Sequence, residues 1–141
     1  MRARACSPKR RSERGQALAE FALVLPLVLL FIAGIVEMAR AWNIKQAVTD
    51  AAREGARYAV VQDADIATTD DVKAKIEERL ALASIESSTI DFSEGFHVAG
   101  SELTVSVATQ YQMGLVGVLL GWAGAPSVVT ISTQATMRNE W

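Results

Sequence analysis

Gly15, Gln16, Glu20 and Phe21 are the residues whose types and spacing point to a chemical event. They sit where a basic start gives way to an apolar run, in Arg14-Gly15-Gln16-Ala17-Leu18-Ala19-Glu20-Phe21. A carboxylate in the first turn of a membrane helix costs about 2–3 kcal/mol on insertion scales, so it marks function by default. A hydrolytic cut after Gly15 creates an amine on Gln16, four residues and one helical turn before Glu20. That amine and the Glu20 carboxylate then neutralise each other where water is scarce. Alternatively, Glu20 reaches the amine of a neighbouring subunit and sets the stagger between parallel helices. Gly15 suits the scissile position because it has no side chain and lets the chain lie extended in a protease cleft. The plainer alternative has Glu20 snorkelling to the headgroups at the helix end.

Other chemistry finds little support. His97 is the single histidine and Cys6 the single cysteine, which leaves no zinc set and no disulfide framework. Asp63-x-Asp65 and Asp70-Asp71 lack the glycine and terminal glutamate of a calcium loop. The serines have no partner base in a recognisable motif, and Glu77-Glu78 reads as a solvated helix face. The expectation is a chain that is not an enzyme and holds no cofactor or metal.

The element that must position Gly15 and Glu20 is long and apolar. Hydrophobic residues make up 50% of the 141-residue chain but aromatics only 6%, so the excess is aliphatic. From Ala17 to Val36 the one charge is Glu20. Twenty helical residues span about 30 Å, the thickness of a bilayer's hydrocarbon core, and a span over about 17–37 is expected. Before it, six basic residues face one acid (Glu13), which places the N-terminus in the cytoplasm and the rest of the chain outside it. Beyond residue 15, eight basic and fifteen acidic residues give an acidic body, unsuited to nucleic acid. Pro26 removes one backbone hydrogen bond and is expected to kink the helix. A cleaved secretory signal competes for the same segment, with Ala39-Arg40-Ala41 as its small-x-small site. The apolar run is too long for it, and Glu37 and Arg40 intrude at the cut. Twin-arginine export through Arg10-Arg11 has a poor continuation in Ser12-Glu13-Arg14.

Gly-x-x-x-x-Glu-Phe at a basic-to-apolar boundary resembles the processing site of type IVb prepilins, which a membrane prepilin peptidase cuts after the glycine. The wider stretch resembles the TadE-like pseudopilins of the Tad (Flp) pilus. It runs through Glu20-Phe21-Ala22-Leu23-Val24-Leu25-Pro26-Leu27 and resumes as Ala51-Ala52-Arg53-Glu54-Gly55-Ala56-Arg57-Tyr58. Gln134-Ala135-Thr136-Met137-Arg138 is similar to that family's closing strand, while residues 62–126 carry little likeness. The resemblance implies Gly15 and Gln16 as the cleavage site and Glu20 and Phe21 as the processing and assembly motif. It further implies a pilin-like fold in the cytoplasmic membrane, with the lipid bilayer, a prepilin peptidase, and other Tad pilins and assembly proteins as partners.

Past Glu37 the pattern stays helical. Ile44, Val48, Ala51, Gly55 and Tyr58 form one apolar stripe, with Lys45, Asp50, Arg53, Glu54 and Arg57 largely opposite. Glu54 and Arg57 are spaced to pair. The small-residue stripe packs on the protein's own sheet, contacts another subunit, or does both. Thr68 or Thr69 caps a second helix with Asp70 and Asp71 at its positive end, and Val72, Ile76, Leu80 and Ala83 form its buried stripe to about residue 84. Strand signals follow at Ile90 and Phe92, with Phe96 and Val98 beyond a hairpin tip at Glu94-Gly95. Leu103, Val105, Val107 and Tyr111 alternate with Thr104, Ser106, Ala108 and Gln110, and Val129 to Met137 alternate again, predicting an antiparallel pair. The apolar stretch 113–126 is too short to span a bilayer. It is a loop on the core, a surface on the outer leaflet, or a patch for a partner.

The expected fold class is α+β: a leader over 1–15, an N-terminal helix over 16–61 with a transmembrane half and an amphipathic half, and a head over 62–141 with a second helix and an antiparallel sheet. The expected function is that of a minor pseudopilin or assembly component. A membrane-anchored binding module outside any pilus is the alternative, and a secreted enzyme released after Ala41 lacks a catalytic constellation.

Overall fold

The computed structural model describes residues 10–61, 68–85, 88–93, 98 and 100–139, with residues 10–14 by backbone alone. The basic tip through residue 9 with Cys6, the Asp63-x-Asp65 pair, the Glu94-Gly95 hairpin tip, Phe96 and His97 lie outside the described residues.

Sixteen consecutive residues without a charge, rich in Leu, precede a stripe at i, i+3 and i+4 spacing, and both halves form one helix. This is α1, Arg10–Val61, and its helical assignment continues through Pro26. The chain divides into two units at Val36 and Glu37. In the first unit the described part is α1 alone, long and apolar enough to cross a membrane, with its Leu, Phe, Ile and Val side chains exposed.

The second unit begins with the rest of α1. Here Val48, Ala51, Ala52, Ala56 and Ala59 are fully buried, and the stripe is covered by elements of the same chain. The helix α2, Thr69–Leu82, starts at Thr68 because a capping box forms there. The Thr68 hydroxyl accepts the Asp71 amide at 3.3 Å, and the Asp71 carboxylate accepts the Thr68 amide at 2.9 Å. Val72, Ile76 and Leu80 point into the core as expected, whereas Ala83 is the exposed C-cap and ends the stripe one turn early. Gly55 lets the two helices approach: a Cβ there would run into the Ile76 side chain. Glu54 and Arg57 do not pair as expected. The ion pair among the described residues is Lys75–Glu78 at 2.7 Å, and Glu54 instead adds an attractive field at Lys75.

Three strands form one antiparallel sheet in the order β1-β2-β3: β1 Ser88–Phe92, β2 Glu102–Gln112 and β3 Val128–Arg138. The predicted alternation is observed. Leu103, Val105, Val107 and Thr109 are buried, with Met137, Ala135, Thr133 and Ile131 as their partners across β3. Thr49 links α1 to this face through a 3.3 Å hydroxyl contact with Thr133. The architecture is α+β.

Of the three readings of residues 113–126, the loop on the core is not what the chain forms there. These residues contain a third helix, α3, Leu115–Trp122, inserted between β2 and β3 at the connected end of their ladder, beyond the Gln112–Val128 pair. Gly117 is its buried residue; Leu115, Val118, Leu119 and Trp122 are exposed.

Candidate functional site

At the N-terminal motif, the residues expected to act together lie on neighbouring turns of α1. The Gln16 side-chain amide donates to Glu20 Oε1 at 3.1 Å, both on an exposed face. Glu20 therefore already has a local donor before any amine exists on Gln16. Phe21 is exposed beside it. Gly15 is helical here rather than extended, so presenting its peptide to a protease requires this turn to unwind. Glycine makes that easier by roughly 0.5–1 kcal/mol relative to alanine. Among the described residues, no atom lies within 4 Å of where a Cβ on Gly15 would stand.

A second arrangement arises at Glu37, the first residue after the apolar run. Glu37 is 7% exposed, and its two carboxylate oxygens are divided between two ligands. Oε2 accepts the Tyr111 hydroxyl at 2.5 Å, and Oε1 accepts the Gly114 amide at 2.8 Å. The Arg40 guanidinium and the Leu115 amide contribute further attraction. Gly114 is the N-cap of α3 and offers no side chain to cap it, so the Glu37 charge sits at the positive end of that helix instead. A Cβ on Gly114 would come within 2.7 Å of Glu37 Oε1, so a side chain here would push the carboxylate off its bond to the Gly114 amide. Hydrogen bonding to Glu37 holds the Tyr111 hydroxyl above the ordinary tyrosine range, keeping it a donor. The chemistry is structural: one carboxylate ties α1 to the end of β2 and the start of α3.

In the sequence Glu37 reads as a charge intruding on a cleavage site and Tyr111 as one residue of a strand face, and a separation of 74 positions leaves no local pattern that joins them. The usable signal was an acidic residue closing an apolar run, with a tyrosine and a glycine flanking a second, uncharged apolar stretch.

The remaining polar clusters are modest. A groove between α1 and α2 is lined by Asp50, Arg53, Glu54, Arg57 and Arg79, charges of both signs with no nucleophile beside a base. Among the described residues, no three His, Cys, Asp or Glu side chains gather in the manner of a metal site. Asp71, one of the acids weighed for calcium, is taken up by the α2 cap, and hydrogen bonds from the Thr68 amide and hydroxyl hold its carboxyl below the usual range.

Residues 15–57 match the family model described as TadE-like protein. Neither a curated protein nor a solved structure matches the chain.

Proposed function

We propose that this chain, whose residues 15–57 match the TadE-like family model, is a minor pseudopilin or assembly component of a Tad pilus apparatus. In this reading α1 crosses the cytoplasmic membrane over about 17–37, with the basic leader in the cytoplasm and the head outside. A prepilin peptidase removes residues 1–15, and the mature chain begins at Gln16. The observation that carries the reading is the coincidence of the family match with the Gly15–Phe21 motif at the head of a helix able to cross a membrane. Glu20 then exchanges its Gln16 amide donor for the new amine, of its own chain or of a neighbouring subunit.

Gly15→Val tests the cut. A Cβ at Gly15 has open space around it, so insertion should be unaffected while a β-branched side chain enters the protease cleft. In cells with the peptidase, wild type should yield a mature mass beginning at Gln16 and the variant should keep its leader. Equal masses for the two would place the cut elsewhere or remove it. In the same preparation, Glu20→Ala should be trimmed normally but lose co-purification with other pilus components. Undiminished co-purification would leave Glu20 as a snorkelling residue.

A further inference from the structure

Helix α3 has the reverse of the usual polarity. Its inward residue is Gly117, pressed against Met113 and Ser127 at the neck of the β2–β3 hairpin. Its outward stripe is Leu115, Val118, Leu119 and Trp122, at i, i+3, i+4 and i+7, with exposures of 71%, 60%, 47% and 88%. Four large apolar side chains on one helix face, turned away from the core, form a surface that water does not stabilise. No Asp, Glu, Lys or Arg occurs from Met113 to Ser127, so no charge complements a charged partner.

The position of α3 selects what covers it. Its N-cap amide is bonded to Glu37, and Glu37 follows Val36, the last residue of the apolar run, by one peptide bond. The start of α3 is thus hydrogen-bonded to the residue that directly follows the apolar run. A short, uncharged, outward-apolar helix ending in an exposed tryptophan has the chemistry of an interfacial element: aliphatic side chains for the acyl boundary and an indole for the headgroup level.

We propose that α3 docks on the membrane leaflet at which the apolar run of α1 ends, with Leu115, Val118, Leu119 and Trp122 immersed in its interfacial zone. Glu37 is the positioning residue that holds α3 at that depth. The chain then has two lipid contacts, a spanning helix and a surface helix, the second bonded to the residue that follows the apolar run. This inference rests on the reading of α1 as a membrane span. Because the stripe is uncharged, docking requires no anionic lipid.

The test uses the full-length chain with Trp42→Phe and Trp141→Phe, leaving Trp122 as the reporter, in phosphatidylcholine vesicles at high lipid-to-protein ratio. Retention after alkaline carbonate washing reads the span; quenching of Trp122 by bromine-labelled acyl chains reads α3. The expected result is a retained chain with blue-shifted Trp122 emission. Quenching should be strongest for bromines about 5–10 Å below the headgroup boundary. Leu119→Asp, at an exposed position, should keep the head's circular dichroism and lose most of the quenching. A retained chain with red, unquenched emission overturns the inference alone. Blue-shifted but unquenched emission also overturns it, the indole then being covered by protein rather than lipid, and quenching unchanged by Leu119→Asp overturns the role of this stripe. A chain removed by carbonate overturns the span, and the inference with it.

Discussion

The two halves of α1 share one backbone and use apolar residues in opposite ways. Before Glu37 the helix carries large side chains such as Leu18, Phe21, Leu23 and Phe31, all exposed and touching no core. After it, the helix carries Val48, Ala51, Ala52, Gly55, Ala56 and Ala59, all buried. Bulk faces outward where the solvent is expected to be lipid, and smallness faces inward where α2 must approach closely. Burial in this chain therefore tracks side-chain volume inversely along the helix. A helix meant for lipid needs area, whereas one meant for a narrow interface needs room.

The comparison breaks if truncation costs the same in both halves. Ile76→Ala, at the centre of the α1–α2 contact, should destabilise the head by about 2–5 kcal/mol. Leu23→Ala, at a 79% exposed position, should change head stability by less than about 0.5 kcal/mol. Denaturant unfolding in detergent, followed by near-ultraviolet circular dichroism, compares the two. A large loss in Leu23→Ala would mean that the first half is packed rather than lipid-facing.

Glycine to alanine sharpens it, because the sign should differ between halves. At Gly55 the added methyl meets the buried Ile76 side chain, an overpacking that costs about 1–3 kcal/mol against a helix-propensity gain of at most about 1. At Gly34 no atom lies within 4 Å of a built Cβ, so the same change should be neutral or stabilising. Melting temperatures of the two variants should fall on opposite sides of wild type, or Gly34→Ala should match it.

At the boundary between the halves, Tyr111→Phe removes the hydroxyl that donates to Glu37 and should cost about 1–2 kcal/mol. The Gly114 amide still holds the other oxygen, so the variant should fold, and its loss should disappear in a Glu37→Gln background if the pair acts as one unit.

The smallest effect lies far from the boundary, at the α2 cap. Asp71 titrates below its ordinary value of 3.8, chiefly because the Thr68 amide bonds its charged form. Its contribution is complete above that value and is lost as pH falls from there through the lowered pKa. Asp71→Asn should therefore lower the melting temperature at neutral pH. The gap to wild type should close as both are acidified; a constant gap would assign the cap's effect to something other than the carboxylate.

What the sequence disclosed follows from range. The α2 start at Thr68 or Thr69, the α2 stripe and the alternation in β2 and β3 are each set within a few residues and were legible, whereas the choice of Thr68 and the reciprocal bond from Asp71 were not. The α1 stripe was legible too, although its cover was not, because coverage depends on α2 and the sheet. The Gly15–Phe21 motif was readable as a pattern, but not the helical state of Gly15, since a glycine is compatible with both conformations. Helix α3 was hidden because its outward stripe is as apolar as a core face, and periodicity reports a face without saying which way it turns. The Glu37–Tyr111–Gly114 contact joins residues far apart in the chain, beyond any local pattern.

That same separation has a consequence during synthesis. Tyr111 follows Glu37 by 74 residues, which a ribosome adding about 5–20 residues per second needs roughly 4–15 s to supply. Until β2 and β3 emerge, the small-residue face of α1 from Val48 to Ala59 has no sheet to cover it. A nascent chain halted before residue 102 thus presents a sticky, half-finished helix. The truncated products of this gene, rather than its full-length variants, should be the ones that burden the cell's chaperones.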